Sequence, residues 1–324
     1  MQIRVGTFNL NNLFSRYNFK LEADEPGLKT GTVEITKIET IVHKATRKEI
    51  EYKGMALHRK EPNDRAMLAA RIKDMSLDVL CVQEVEDIET LRHFAATELD
   101  GMYPHAMLLE GNDPRLIDVA VLSKLPIGAA VTWQTSVHPA KPNERVFSRD
   151  LLQAQILSPD RKRVLLHLFV THLKSKFVPY NQDQALGTID ANNRRKRQAE
   201  SAAAIIASVM RPDSHFAFLG DFNDAPESSP IAPLATHPEL RLVNALAGAK
   251  ETNPMPETSS PPSTEVWTHR FKPSGKPAVY ELLDHIWLSP ALAAKQTGAF
   301  INRRQHKVTG DGSDHDPAWV EITF

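Results

Sequence analysis

Apolar positions along the chain follow two rhythms. The predicted strand 78–85 (DVLCVQEV) holds the apolar run VLCV, and 216–219 (FAFL) is apolar throughout, as in strands covered on both faces. Residues 3–10 alternate as a strand, and further strands are predicted at 105–109, 117–122, 151–157, 164–171, 282–288 and 318–323. Helical spacing puts Met67, Leu68, Ile72 and Met75 on one stripe of a helix starting near Asn63 or Asp64 as N-cap. Helices are also predicted over 88–99 and 193–210, the second basic at its start and alanine-rich beyond. Residues 32–44 (TVEITKIETIVHK) alternate as a hairpin or extended arm. The stretch 252–263, rich in proline, serine and threonine, reads as a surface loop. Strands outnumber helices and several alternate with them, which favours an α/β sandwich.

Polar residues collect where these strands end. In FAFLGDFNDAP, Gly220 breaks the apolar run, Asp221, Asn223 and Asp224 follow, and Pro226 prevents the strand from continuing. Alternation places Asp221 and Asn223 on one face. A carboxylate beside an amide suits a magnesium-bound phosphate, although Gly-Asp-x-Asn-Asp is also good chemistry for an ordinary turn.

Composition narrows the classes. The formal net charge of −1 excludes a nucleic-acid binder that works by bulk charge, leaving only a local basic groove. The single cysteine, Cys81, lies inside an apolar run and reads as a packing residue, and one cysteine allows no intrachain disulfide. The N-terminus starts as a strand with no signal-peptide core, and no apolar stretch is long enough to span a bilayer. A cytoplasmic protein is expected if Met1 is the native start. The expected organisation is a single domain over residues 1–324, with an insertion or arm at about 16–62.

Six strand-end clusters, taken in order, carry a resemblance: TFNLNNLF with Asn9, VQEVE with Glu84, VTHLKS with His172, GDFND with Asp221 and Asn223, LLDHI with Asp284, and SDHDP with Asp314 and His315. Together they resemble the endonuclease/exonuclease/phosphatase superfamily, and the segment VWTHRFKPSGKPAVYELLDHIWLS looks most like its bacterial nuclease-like members. The resemblance implies a four-layered α/β/β/α sandwich of two packed, mostly antiparallel sheets with flanking helices. It implies a divalent cation, Mg²⁺ with Mn²⁺ as substitute, and hydrolysis of a phosphoester by in-line attack of water. Matched motif by motif, Glu84 looks like the principal metal ligand, with Asn9 and Asp314 close by. Asp221 and Asn223 look like the pair that positions water, phosphate or a second cation. His315 would face the phosphorus with Asp284 fixing its tautomer, and His172 matches the second histidine of the deoxyribonuclease and sphingomyelinase branches.

The chemistry asks for the same residue types. Phosphodiesters repel nucleophiles, so catalysis is mostly charge neutralisation and positioning. Mg²⁺ prefers oxygen ligands. A histidine titrates near neutrality, and a carboxylate behind it selects which nitrogen carries the proton. Asp118, opening the strand IDVAVLS, could serve His172 as Asp284 serves His315; capping a turn is the alternative. Arg115, Arg149 and Lys174 are candidates for the substrate phosphate, with structural ion pairs as the plainer explanation. The run 194–197 (RRKR) is expected to open its helix, where cations oppose the macrodipole, and so to favour an anionic partner. The leading expectation is a metal-dependent nuclease acting on DNA. The alternatives are a phosphatase or phosphodiesterase with a small or lipid substrate, and an inactive scaffold that binds a partner.

Overall fold

Residues of the strand Val79–Val85 alternate between two apolar layers, which explains why its sequence lacks a polar face. Val79 and Cys81 join Val5 and Val121 in a core shared with Leu168, Leu219 and Ile286 of a second sheet. Leu80 and Val82 face the other way, under Leu68 and Ile72 of the helix Pro62–Met75 and Leu91 and Phe94 of the helix Ile88–Thr97. On the far side of the second sheet, Phe169, Phe218 and Trp287 pack with Ala199, Ala202 and Ile206 of the helix Gln184–Val209. The result is the expected four-layered sandwich, with helices outside two sheets. The computed structural model describes residues 1–15, 38–41, 47–50, 60–179, 181–253, 266–271, 275–303 and 312–324.

Among the described residues the first sheet has seven strands and the second six. Most pairings are antiparallel. Gln2–Leu13 with Val79–Val85, and Val164–His172 with Phe216–Asp221, are parallel exceptions that run through the middle of each sheet. The chain divides into two compact units, Met1–Leu13 with Glu61–Phe324, and Phe14–Lys60. In the second unit the strands Ile38–Ile41 and Arg47–Ile50 pair antiparallel. The rest of the hairpin expected at 32–44 lies outside the described residues, as does most of the loop expected at 252–263. Cys81 is fully buried, and burial pushes its thiol up, as a packing residue requires.

Two helix starts differ from the sequence expectation. The first helix is Pro62–Met75, with Glu61 at its cap and no side-chain cap bond, because Pro62 supplies a preset φ and lacks the N–H that would need one. The third begins at Gln184, where the Asp183 carboxylate accepts from the Leu186 N–H. Residues 194–197 therefore sit in mid-helix, and the expectation that they oppose the macrodipole at its start is incorrect.

Strand register positions the functional rim. His172 pairs with Asp221 across the parallel strands, and Asp221 pairs with Asp284 across the next antiparallel pair. Three chemically active side chains are thus brought to one level on three adjacent strands. On the other sheet Asn9 pairs with Gln83, and the register then shifts, placing Glu84 at an irregularity with φ of 61°. Gly220, immediately before Asp221, has φ of 140°, and a Cβ there would lie 2.0 Å from the carbonyl oxygen of Thr171.

Candidate active site

Asn9 links the two sheets. Its Nδ2 donates to Asp221 Oδ2 at 3.0 Å and to Glu84 Oε1 at 3.4 Å, while its Oδ1 accepts from the Asn11 N–H. His172 Nε2 lies 3.4 Å from Asp221 Oδ2 and 4.0 Å from Glu84 Oε1. On the other flank His315 Nε2 lies 3.9 Å from the same Asp221 oxygen, and its Nδ1 is 2.7 Å from Asp284 Oδ2. Asp221 is therefore the shared centre of the group. Asn223, with φ of 55°, donates its backbone N–H to Asp221 Oδ1 and its side-chain amide to the carbonyl of Leu173.

Burial and charge separate the two histidines. Burial lowers the pKa of His172 well below the usual value, and Arg149, His315 and Arg115 push it the same way, so it is neutral at pH 7. Burial also opposes charge on His315, but Asp284 and Asp221 outweigh it and hold its pKa well above the ordinary value. Nδ1–H then points at Asp284 and leaves Nε2–H directed toward Asp221. Burial raises Asp221 to about 7; the charge of Asp284 adds to this and that of His315 opposes it.

Residues that the sequence reading did not single out hold this arrangement. Thr268 Oγ1 accepts from the N–H groups of Leu283 and Asp284, fixing the strand end behind His315. Ser313 Oγ donates to the carbonyl of Asn9 and accepts from the His315 N–H, tying the C-terminal loop to the first sheet. Behind that loop the buried Asp316 is ion-paired with Arg71 at 3.1 Å and Arg303 at 3.4 Å. The serine of SDHDP and the threonine of WTH were the visible signals, but their partners are distant in sequence.

Some candidates stand elsewhere. Asp314 is about half exposed and faces His269 Nε2 at 3.7 Å rather than Asn9 or Glu84. His269 and His315 hold its carboxyl below the usual range against the effect of burial. Asp118 accepts from the Gly111 N–H at 2.8 Å and is raised to about 6 by burial. His172 Nδ1 has no hydrogen-bond partner among the described residues, so the expected Asp118–His172 pair is not formed. The Asp118 carboxylate is occupied in closing the turn. Asp113 takes both candidate arginines: Arg115 donates to its two oxygens at 3.0 and 2.8 Å, and Arg149 Nε lies 3.2 Å away. Arg149 is buried and donates Nη1 to the Leu173 carbonyl. Lys174 Nζ donates to the oxygens of Ser175 and Phe177, and burial together with Arg149, Arg194, Arg195 and Arg115 lowers its pKa to about 8. Within the basic run, Arg195 is fully buried against Asp224 at 2.7 Å.

The donor set suits a divalent cation. Glu84 and Asp221 are held near one amide, and among the described residues no lysine or arginine is ion-paired with either. The two carboxylates are hard oxygen donors of the type Mg²⁺ takes, while Asn9 turns its Nδ2 to them and its Oδ1 to the Asn11 N–H. Asp221, Asp284 and His315 also lie close enough together to share an ion, as do His269, Asp314 and His315.

A two-sheet sandwich carrying these groups at one rim belongs to the class of divalent-metal-dependent phosphoesterases. The chain is a member of the Endonuclease/Exonuclease/phosphatase family, whose model matches residues 6–315. Solved structures of similar fold include an endonuclease/exonuclease/phosphatase from Bacteroides vulgatus, with 14% identity, 100% of this chain and 99% of that one covered, and a TM-score of 0.58. An AP endonuclease from Archaeoglobus fulgidus shares 16% identity over 82% of this chain and 96% of its own, with a TM-score of 0.53. A mannosyl-6-phosphatase from Bacteroides thetaiotaomicron shares 14% over 81% and 91%, with a TM-score of 0.52. No curated protein matches the sequence. No helix among the described residues is long and apolar enough to cross a membrane.

Proposed function

We propose that the protein is a Mg²⁺-dependent phosphodiesterase acting on nucleic acid, with DNA as the favoured substrate. The observation carrying this reading is the convergence of His172, His315 and Asn9 on Asp221, with Glu84 beside Asn9 and Asp284 hydrogen-bonded behind His315. Glu84 would be the principal ligand of the cation, with Asn9 beside it, and the cation would neutralise phosphate charge; Asp314, turned to His269, is left out of that set. Asp221, raised to about 7 and fixed by the Asn223 N–H, accepts the proton of the attacking water as the water oxygen bonds to phosphorus and the ester P–O bond breaks, the leaving alkoxide taking a proton from solvent. His315, protonated and oriented by Asp284, donates to a phosphoryl oxygen as negative charge builds there. His172, neutral, supports Asp221 from the other side. Arg149 and Lys174 bring positive charge to the same rim, which supports an extended anionic substrate.

The second reading, a phosphatase of a small phosphoester, draws on the similar fold of the mannosyl-6-phosphatase. A screen with Mg²⁺ or Mn²⁺ against single- and double-stranded DNA, RNA, a bis-aryl phosphodiester and a phosphomonoester separates the two. Preference for the nucleic acids supports the first reading, and preference for the monoester supports the second. No turnover of any of them would leave a non-catalytic scaffold.

A further inference from the structure

Beyond His172 the catalytic rim opens into a cleft of about 880 Å³, between the Asn112–Arg115 turn, residues 144–149, residues 174–179 with Gln182, and the inner side of the helix Gln184–Val209. Arg115, Arg145, Arg149, Lys174 and Arg194 line it, against the acids Asp113, Glu144 and Asp190. Asp113 is committed to Arg115 and Arg149, and Glu144 is paired with Lys141. Two cations stand outside these pairs. Lys174 Nζ meets only neutral oxygens, and Arg194 forms no ion pair among the described residues. The buried Arg149 adds a third donor. Its Nε, although ion-paired with Asp113, is out of line for a hydrogen bond and has no hydrogen-bond partner among the described residues. Lys174 follows His172 by two residues, and Arg149 donates to the carbonyl of the residue between them. The positive charge is therefore continuous with the site at which the phosphoester would react.

At the mouth of the cleft Phe177 leaves 59% of its surface exposed. An exposed ring beside unpaired cations matches a nucleotide, whose base stacks while its phosphate is neutralised. In a duplex the bases are already stacked and paired, so this ring would gain little there. The volume falls within the range of about 300–1,000 Å³ found for pockets that hold small ligands.

We propose that this cleft is a subsite for single-stranded nucleic acid, holding the phosphate next to the cleaved bond on Lys174 and Arg194 and a base on Phe177. The inference rests on the phosphodiesterase reading for its biological sense, but binding tests it separately. The probe is labelled hexathymidylate, measured by fluorescence anisotropy with the full chain carrying Asp221→Asn. Arg194→Glu and Phe177→Ala should each weaken binding at least about tenfold. Arg194→Ala should reduce the salt slope of the affinity by about 0.7. With Asp221 restored, both variants should lose more kcat/KM on the oligonucleotide than on a bis-aryl phosphodiester, which has no second phosphate.

Affinities within about twofold of the parent in both variants would overturn the proposal. So would equally tight, Phe177-dependent binding of a duplex, or displacement of the probe by mannose 6-phosphate at lower concentration than by thymidine 5′-phosphate. Arg194 is exposed, so its substitutions keep the test valid if Phe177→Ala fails to fold. Cleft-dependent binding without hydrolysis of any phosphoester would sink the proposed function and leave the subsite standing. Hydrolysis with oligonucleotide binding indifferent to both positions would do the reverse.

Discussion

Replacing Gly220 by alanine probes how closely the two parallel strands of the second sheet must approach to assemble the site. Gly220 has φ of 140°, a conformation that L side chains rarely adopt, and holding alanine there costs about 1–3 kcal/mol. The added Cβ would stand 2.0 Å from the Thr171 carbonyl oxygen, where real contacts do not fall below 3.0 Å. The obstacle is backbone, so the strands must part by roughly 1 Å, adding about 1–3 kcal/mol of overpacking. The total, roughly 2–6 kcal/mol, is a large part of an ordinary domain stability of about 5–15 kcal/mol. The residues on either side of the clash lead directly to His172 and Asp221, 3.4 Å apart, and a displacement of about 1 Å there costs about a hundredfold in rate. Gly248→Ala is the control. Its φ is 73° with nothing within 4 Å of the new methyl, so only backbone strain of about 1–2 kcal/mol applies. Urea unfolding of both variants, with turnover of a bis-aryl phosphodiester in Mg²⁺, reads both effects. A Gly220→Ala protein as stable as Gly248→Ala and as active as the parent would refute the reasoning.

Three further outcomes are expected. EDTA should abolish turnover, Mg²⁺ or Mn²⁺ should restore it, and Glu84→Gln should weaken metal binding and activity together; full activity in excess chelator would end the metal assignment. His315→Ala should lose at least about a hundredfold in kcat, and Asp284→Asn/His315→Ala should be little worse, because Asp284 acts through the imidazole; additive losses would dissolve that partnership. Asp150 is fully buried and its pKa is raised by burial to about 6 from 3.8, so its contribution is fully present below pH 3.8 and is lost as pH rises through about 6. Asp150→Asn, which keeps an acceptor for the Trp133 N–H, should be more stable than the parent above pH 6, by at most about 3 kcal/mol, and should converge with it near pH 4; thermal melts with parallel pH profiles would contradict this.

The central strands were legible because their positions alternate between two buried layers, as at Val79, Leu80, Cys81 and Val82. The strands Ile127–Thr132 and Gln296–Asn302 were not expected. Their small or polar residues are only partly covered, so their place comes from pairing with neighbours rather than from their own pattern. At the site, the motifs gave Asp221 and the Asp284–His315 pair, which adjacent strands and the residues just before the last strand bring together. They did not give Thr268, Ser313 or the use of Asp118 at Gly111, because such bonds depend on where loops cross in space. Residues 194–197 were misjudged for a related reason. The polar first turns of the helix Gln184–Val209 have no apolar stripe, yet an aspartate cap and the burial of Arg195 against Asp224 anchor it.

Asn9 and Glu84 come from one sheet, whereas His172, Asp221 and Asp284 come from the other, so the site reports the spacing between them as a calliper would. That spacing is maintained by Val5, Cys81 and Val121 against Leu168, Leu219 and Ile286, none of which touches a substrate. Trimming one of these side chains lets the jaws settle by a fraction of an ångström and alters the 3.0 Å reach from Asn9 to Asp221. Core substitutions in this protein should therefore register as losses of turnover at temperatures where the chain is still fully folded.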